Sequence, residues 1–87
     1  MNVLIVEDNK ELAVDVYDFL CNAGYICKIA NNCADAVEEF GSNDYDVMIL
    51  DLELPDGDGF EVLHAIRKTK SKIAVIVLTA RGDWMIG

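Results

Sequence analysis

The chain has 87 residues, 53% of them apolar, and a formal charge of −9 from 16 acidic and 7 basic side chains. That length holds one domain and hides about 60–65% of the unfolded surface, while the apolar fraction excludes a disordered chain. The charge argues against direct nucleic-acid binding and for cationic partners or a bound metal ion. Cys21, Cys27 and Cys33 form no CxxC pair and have no histidine near them in sequence. Reduced thiols of a cytoplasmic protein are therefore expected, not a zinc site or a disulfide framework. Met1 leads straight into an apolar run with no basic flank, unlike a signal peptide, and no run approaches the roughly 20 residues of a membrane span.

Strand and helix patterns alternate along the chain. Asn2-Val3-Leu4-Ile5-Val6 is a continuous apolar stretch that stops at Glu7-Asp8, the pattern of a strand buried on both faces of a parallel sheet. Asn9 can cap a helix reaching about Ala23, with Leu12, Val16, Phe19, Leu20 and Ala23 inward and Gly24 as its stop. A short strand is predicted over 25–30. A second helix follows, capped by Asn32, with Ala34, Val37 and Phe40 inward and Gly41 closing it. Val47-Met48-Ile49-Leu50 is the third strand and ends at Asp51.

The run Leu54-Pro55-Asp56-Gly57-Asp58-Gly59 is turn chemistry. A third helix starts near Gly59, with Asp58 and Glu61 at capping-box spacing, a core face of Phe60, Leu63 and Ile66, and Arg67, Lys68 and Lys70 at its end. A fourth apolar strand over 73–78 ends at Thr79. The βαβαβαβ order predicts a doubly wound parallel sheet with right-handed crossovers. His64 falls off the predicted core face and is read as an exposed side chain.

Glu7, Asp8 and Asp51 all lie where strands end. Ligands of such sheets bind outside the carboxyl ends of the strands, so neighbouring first and third strands would bring these carboxylates together. Ionised as a group they repel strongly. All-oxygen ligation of a hard cation such as Mg2+ relieves that repulsion.

Three motifs carry a resemblance to a known family: Leu4-Ile5-Val6-Glu7-Asp8-Asn9, Asp51-Leu52-Glu53-Leu54-Pro55-Asp56-Gly57-Asp58-Gly59 and Leu78-Thr79-Ala80-Arg81. In this order, at the ends of the first, third and fourth strands, they resemble the receiver domain of bacterial two-component response regulators over nearly the whole chain. The Leu-Thr-Ala-Arg-Gly-Asp run is closest to the subfamily that carries a winged-helix DNA-binding domain after the receiver.

The resemblance implies a flavodoxin-like sheet of order 2-1-3-4. It implies a phosphoacceptor signalling domain, with self-catalysed transfer and hydrolysis, and not a turnover enzyme. Asp51 would take a phosphoryl group from a phosphohistidine on a sensor histidine kinase. Asp8 would bind Mg2+ directly, Glu7 through a water, and Asp51 and the backbone carbonyl of Glu53 would complete the protein ligands. Thr79 would donate its hydroxyl to a phosphoryl oxygen, with the Ala80 amide as a second donor, and an output domain would control transcription.

Family members continue after the fourth strand with a helix, a fifth strand that carries a lysine before a proline, and a last helix; these 87 residues contain no Lys-Pro pair. The fourth strand, 73–78, is therefore expected as an exposed apolar edge, followed by an apolar Trp84-Met85-Ile86 tail. Self-association by edge pairing or exchange of elements is expected there. A phosphorylation-impaired receiver acting as an association module is thus the alternative function. A more distant one is a Mg2+-dependent phosphate enzyme: Toprim nucleases and haloacid-dehalogenase-like phosphatases also place acids after strands. Leu54-Pro55-Asp56-Gly57 and Thr79-Ala80 fit neither.

Overall fold

A computed structural model describes residues 1–78 and the backbone of Trp84–Ile86. The elements are, in order, β1 (Asn2–Val6), α1 (Lys10–Asn22), β2 (Ile26–Ala30), α2 (Cys33–Ser42), β3 (Val47–Asp51), β4 (Glu53–Leu54), β5 (Gly57–Asp58), α3 (Gly59–Lys68), β6 (Ala74–Leu78) and β7 (Trp84–Ile86). The main sheet has the order β2-β1-β3-β6-β7, and β4 and β5 form a separate small hairpin. Neighbours from β2 to β6 pair in parallel. This is the doubly wound parallel arrangement that the alternating pattern predicts, in the flavodoxin-like order 2-1-3-4 that the resemblance implies, with β6 as the fourth strand.

Register decides which side chains share a face. Leu4, Met48 and Val75 form one row across β1, β3 and β6, and Val6, Leu50 and Val77 form the next. All six are at most 1% exposed. Ala36 of α2 and Val62 and Ile66 of α3 belong to the same core. The opposite face carries Val3 and Ile5, both buried. There Val47, Ile49 and Ile76 are only half-buried, around an apolar recess that Leu20 of α1 and Tyr25 also line.

Each helix start has the cap residue its sequence suggests, although at α3 Asp58 accepts from the Phe60 N–H and not from the Glu61 N–H of a capping box. Asn9 Oδ1 accepts from the Leu12 N–H at 3.1 Å, Asn32 Oδ1 from the Asp35 N–H at 2.8 Å, and Asp58 Oδ1 from the Phe60 N–H at 2.9 Å. Gly24 stops α1 with φ 96°, a conformation glycine adopts without steric cost.

The helix faces differ from the expected ones. In α1 the buried residue is Ala13, while Leu12 is 42% and Phe19 74% exposed. In α2 it is Ala36, and Ala34 and Val37 are exposed. The helix also runs on through Gly41 to Ser42. In α3 Val62 joins Ile66 and Gly59 inside, while Phe60 is exposed and Leu63 half-buried. Alanine is the buried residue in α1 and α2, whereas α3 buries the larger Val62 and Ile66. His64 is exposed, as read from the sequence.

The expectation of a bare fourth-strand edge is corrected as well. Trp84–Ile86 pairs antiparallel with β6, placing Ile86 opposite Ile76, Met85 opposite Val77 and Trp84 opposite Leu78. The pairing covers the last three residues of β6, and Ala74 and Val75 keep that edge unpaired among the described residues.

Gly59 fixes the turn from β3 into α3. A Cβ there would lie 2.3 Å from the Asp51 carbonyl oxygen and 2.8 Å from Leu52 Cα. Both are backbone atoms that cannot move aside. Gly59→Ala is expected to lower stability by about 1–3 kcal/mol, read from urea unfolding. Gly41→Ala, in the last turn of α2 with nothing within 4 Å, is expected to raise it by up to about 1 kcal/mol.

Candidate functional site

β1 and β3 lie side by side and in register, so the residues that follow them meet at one sheet edge. Glu7 leaves β1 with its backbone held on both sides. Its N–H donates to the Ala30 carbonyl at 3.0 Å, and its own carbonyl accepts from Asn31 Nδ2 at 2.8 Å. The side chain is turned in and only 6% exposed. Asp8 is exposed beside it, and Asp51, the last residue of β3, is half-buried. One carboxylate oxygen from each of Glu7, Asp8 and Asp51 lies within 4.8 Å of the others. The convergence expected from the strand ends is therefore present.

Backbone donors orient two of the three acids. The Asn9 N–H donates to Glu7 Oε2 at 3.2 Å, and the Glu53 N–H donates to Asp51 Oδ1 at 3.2 Å. The Glu53 side chain is exposed. Glu7, Asp8, Asn9, Leu12, Asp51, Glu53, Leu54 and Pro55 line an open pocket. Among the described lining residues none is basic.

The imbalance is visible in Glu7. Burial, then its hydrogen bond to the Asp51 carboxyl, pushes its pKa up to about 7, against the opposing pull of the Asn9 N–H. At the separation found here each ionised pair repels by roughly 3–4 kcal/mol at an effective dielectric of 20. A hard divalent cation coordinated by oxygen removes that penalty, and the donor set of three carboxylates fits one. Asp51, half-buried, also lines that pocket.

Thr79, Ala80 and Arg81, the third motif, lie outside the described residues. The register puts Leu78 opposite Asp51, so Thr79 follows directly on the residue that pairs with the central acid. Sequence reading did not single out Gly59, whose missing Cβ lets α3 approach the Asp51 backbone, nor the Asn9 amide. Asn9 was read as a helix cap; its N–H bond to Glu7 has no sequence signal beyond adjacency.

A pH dependence follows from Glu7. Its folded pKa, about 7, lies above the ordinary value of 4.5. The folded metal-free chain therefore holds a proton that the unfolded chain has released. The stabilisation is complete below about 4.5 and is lost as pH rises through about 7. Unfolding free energies from urea titrations without divalent cations should fall over that interval, by on the order of 1–3 kcal/mol. Glu7→Gln should flatten the profile; an unchanged slope in that variant would assign the effect to another group.

Comparison with known proteins agrees with this geometry. A family model described as the response regulator receiver domain matches residues 3–86. The chain is 42% identical over 81 residues to the swarming motility regulation protein RssB of Serratia marcescens, covering 93% of this chain and 37% of that protein. It is also 42% identical over 81 residues to the transcriptional regulatory protein PmrA of Pectobacterium parmentieri, covering 93% of this chain and 36% of the relative. The chain thus spans about a third of the length of these relatives. Among solved structures, the response regulator protein TrrA of Thermotoga maritima, in complex with Mg(2+)-BeF, superposes with a TM-score of 0.86 at 37% identity, covering 91% of this chain and 69% of that one. With the sheet order, the acidic strand ends and this match over nearly its whole length, the chain belongs to the response regulator receiver domain family.

Proposed function

We propose that the chain is a phosphoacceptor module in which Asp51 takes a phosphoryl group from a phosphohistidine of a sensor histidine kinase. The observation that carries this reading is the meeting of Glu7, Asp8 and Asp51 at one sheet edge. A carboxylate oxygen of Asp51 attacks phosphorus and forms an acyl phosphate. The P–N bond breaks, and its electron pair stays on the imidazole nitrogen. The Glu53 N–H, already on Asp51 Oδ1, orients the carboxylate so that its second oxygen can attack.

Mg2+ is the proposed cofactor, held by Asp8 and Asp51, by Glu7 through a water, and by the Glu53 backbone carbonyl. When bound, such an ion offsets negative charge on the acids and on the phosphoryl oxygens. Thr79, one residue beyond the register partner of Asp51, is proposed as a hydroxyl donor to the transferred group. By analogy with the transcriptional regulatory proteins it resembles, the module serves transcription control in the cytoplasm through an output domain.

A second reading is association of two chains along the sheet edge. β7 pairs only with the last three residues of β6. Among the described residues, Ala74 and Val75 have β3 on one side and no ladder partner on the other.

Incubation with acetyl phosphate and Mg2+ is expected to add one phosphoryl group to the intact mass of the wild-type chain and none to Asp51→Ala. Omitting Mg2+ should slow the gain at least about 10-fold. Equal labelling of both proteins would reject Asp51 as the acceptor. Edge pairing predicts a mass by light scattering that rises with concentration. A monomer throughout the micromolar range would eliminate that second reading.

A further inference from the structure

The hairpin that walls the acidic pocket is held at its tip by one carboxylate. β4 and β5 pair Glu53 with Asp58 and Leu54 with Gly57, leaving Pro55 and Asp56 as the turn. Asp56 Oδ1 accepts from the Cys33 N–H at 2.7 Å and Oδ2 from the Ala34 N–H at 3.0 Å. Both are first-turn donors of α2, a helix more than twenty residues earlier in the chain. Such donors have no partner within the helix, and a carboxylate suits the positive end of the helix dipole. The next two donors are satisfied locally: the Asp35 N–H by the Asn32 side chain and the Ala36 N–H by the Asn32 carbonyl.

The first turn of α2 is thus divided between its own cap and the hairpin. The two N–H bonds also hold the Asp56 carboxyl below the usual carboxylate range. Around the clamp the fit is close. The Cys33 thiol donates to the Asp58 carbonyl at 3.8 Å, and a Cβ on Gly57 would lie 3.4 Å from Cys33 Sγ and 2.8 Å from Glu61 Oε2.

We infer that Asp56 is a positioning residue for the acidic site: by clamping the hairpin tip to α2 it fixes the Glu53 backbone and the Leu54-Pro55 wall against Asp51. Asp56 does not line the pocket. It acts through Glu53, whose N–H holds the Asp51 carboxylate and whose carbonyl is a proposed metal ligand. The inference rests on the phosphoacceptor reading above.

The test compares wild type, Asp56→Ala, Asp56→Asn and Asn32→Ala in the 87-residue chain. Asn32→Ala weakens the same helix start without touching the hairpin. Each protein is titrated with Mg2+ by calorimetry and followed for acetyl phosphate labelling, at a urea-free condition where circular dichroism shows it folded. Hydrogen exchange is measured without metal. Asp56→Ala is expected to weaken Mg2+ binding and slow labelling by about 10-fold and to speed exchange at the Leu54 and Gly57 amides.

Asp56→Asn, which keeps one acceptor oxygen, should recover part of each effect. Asn32→Ala should lower the urea midpoint yet leave Mg2+ affinity and hairpin exchange at wild-type values. Equal losses in Asn32→Ala and Asp56→Ala would reduce Asp56 to a helix cap and overturn the inference. Wild-type affinity and rate in Asp56→Ala would overturn it too, with the phosphoacceptor reading intact. A wild-type chain that binds no Mg2+ and takes no phosphoryl group would overturn that reading itself.

Discussion

The constraint on which the rest of this structure depends is the packing of three carboxylates at one edge of a parallel sheet. Parallel pairing of β1 with β3 puts Val6 opposite Leu50, so the residues that follow each strand cannot avoid one another. Glu7 pays the largest penalty because it is buried as well as acidic. Among the described residues, the backbone donors set against this are one N–H to Glu7 and one to Asp51. Neutral hydrogen-bond donors do not cancel three negative charges. Without a cation, burial and the neighbouring Asp51 carboxyl keep Glu7 protonated up to about pH 7.

The two faces of the sheet are not equally finished. On one, α2 and α3 cover two complete register rows that run from β1 to β6. On the other, α1 packs on β1 and β2 and leaves Val47, Ile49 and Ile76 half-buried. The solved receiver chain with bound Mg(2+)-BeF is longer, and this chain covers 69% of it. The acid site nevertheless draws its supports from the finished part. Asp51 ends the central strand β3, Gly59 begins α3 directly behind it, and the hairpin rests on α2. The chemistry and the incompletely covered face lie in different parts of the molecule.

Most of the strand order and the acidic edge were legible in the sequence, for a simple reason. Strands buried on both faces must be apolar at every position, so Val3 to Val6 and Val47 to Leu50 announce themselves, and the acids that end them stand out. Helix faces were harder to read. The largest apolar residues suggest Leu12 and Phe19 for α1 and Val37 for α2, but the buried residues there are Ala13 and Ala36. Ranking by hydrophobicity overlooks small side chains. The β6–β7 pairing was also missed, because a three-residue strand has too few side chains to show a period. The clamp from Asp56 to α2 joins segments distant in sequence, and no local pattern encodes such a bond.

The loop after β3, more than the strand itself, decides how Asp51 is presented. A strand fixes where its last Cα lies, but the following peptide units determine where the carboxylate points. Here Leu52 donates its N–H to the Leu78 carbonyl and accepts from the Gly59 N–H, which holds the turn between β6 and α3. Glu53 then sends its N–H back to Asp51 and enters the hairpin that ends on α2. Each link uses a backbone group that would otherwise need a partner. The loop can therefore be both irregular and fixed without a hydrophobic core of its own. A carboxylate held in this way is oriented by hydrogen bonds at the rim of the sheet, where charge brought to the pocket can alter them. The apolar rows beneath cannot respond to charge, and they keep the two strand ends together whichever state the acids are in.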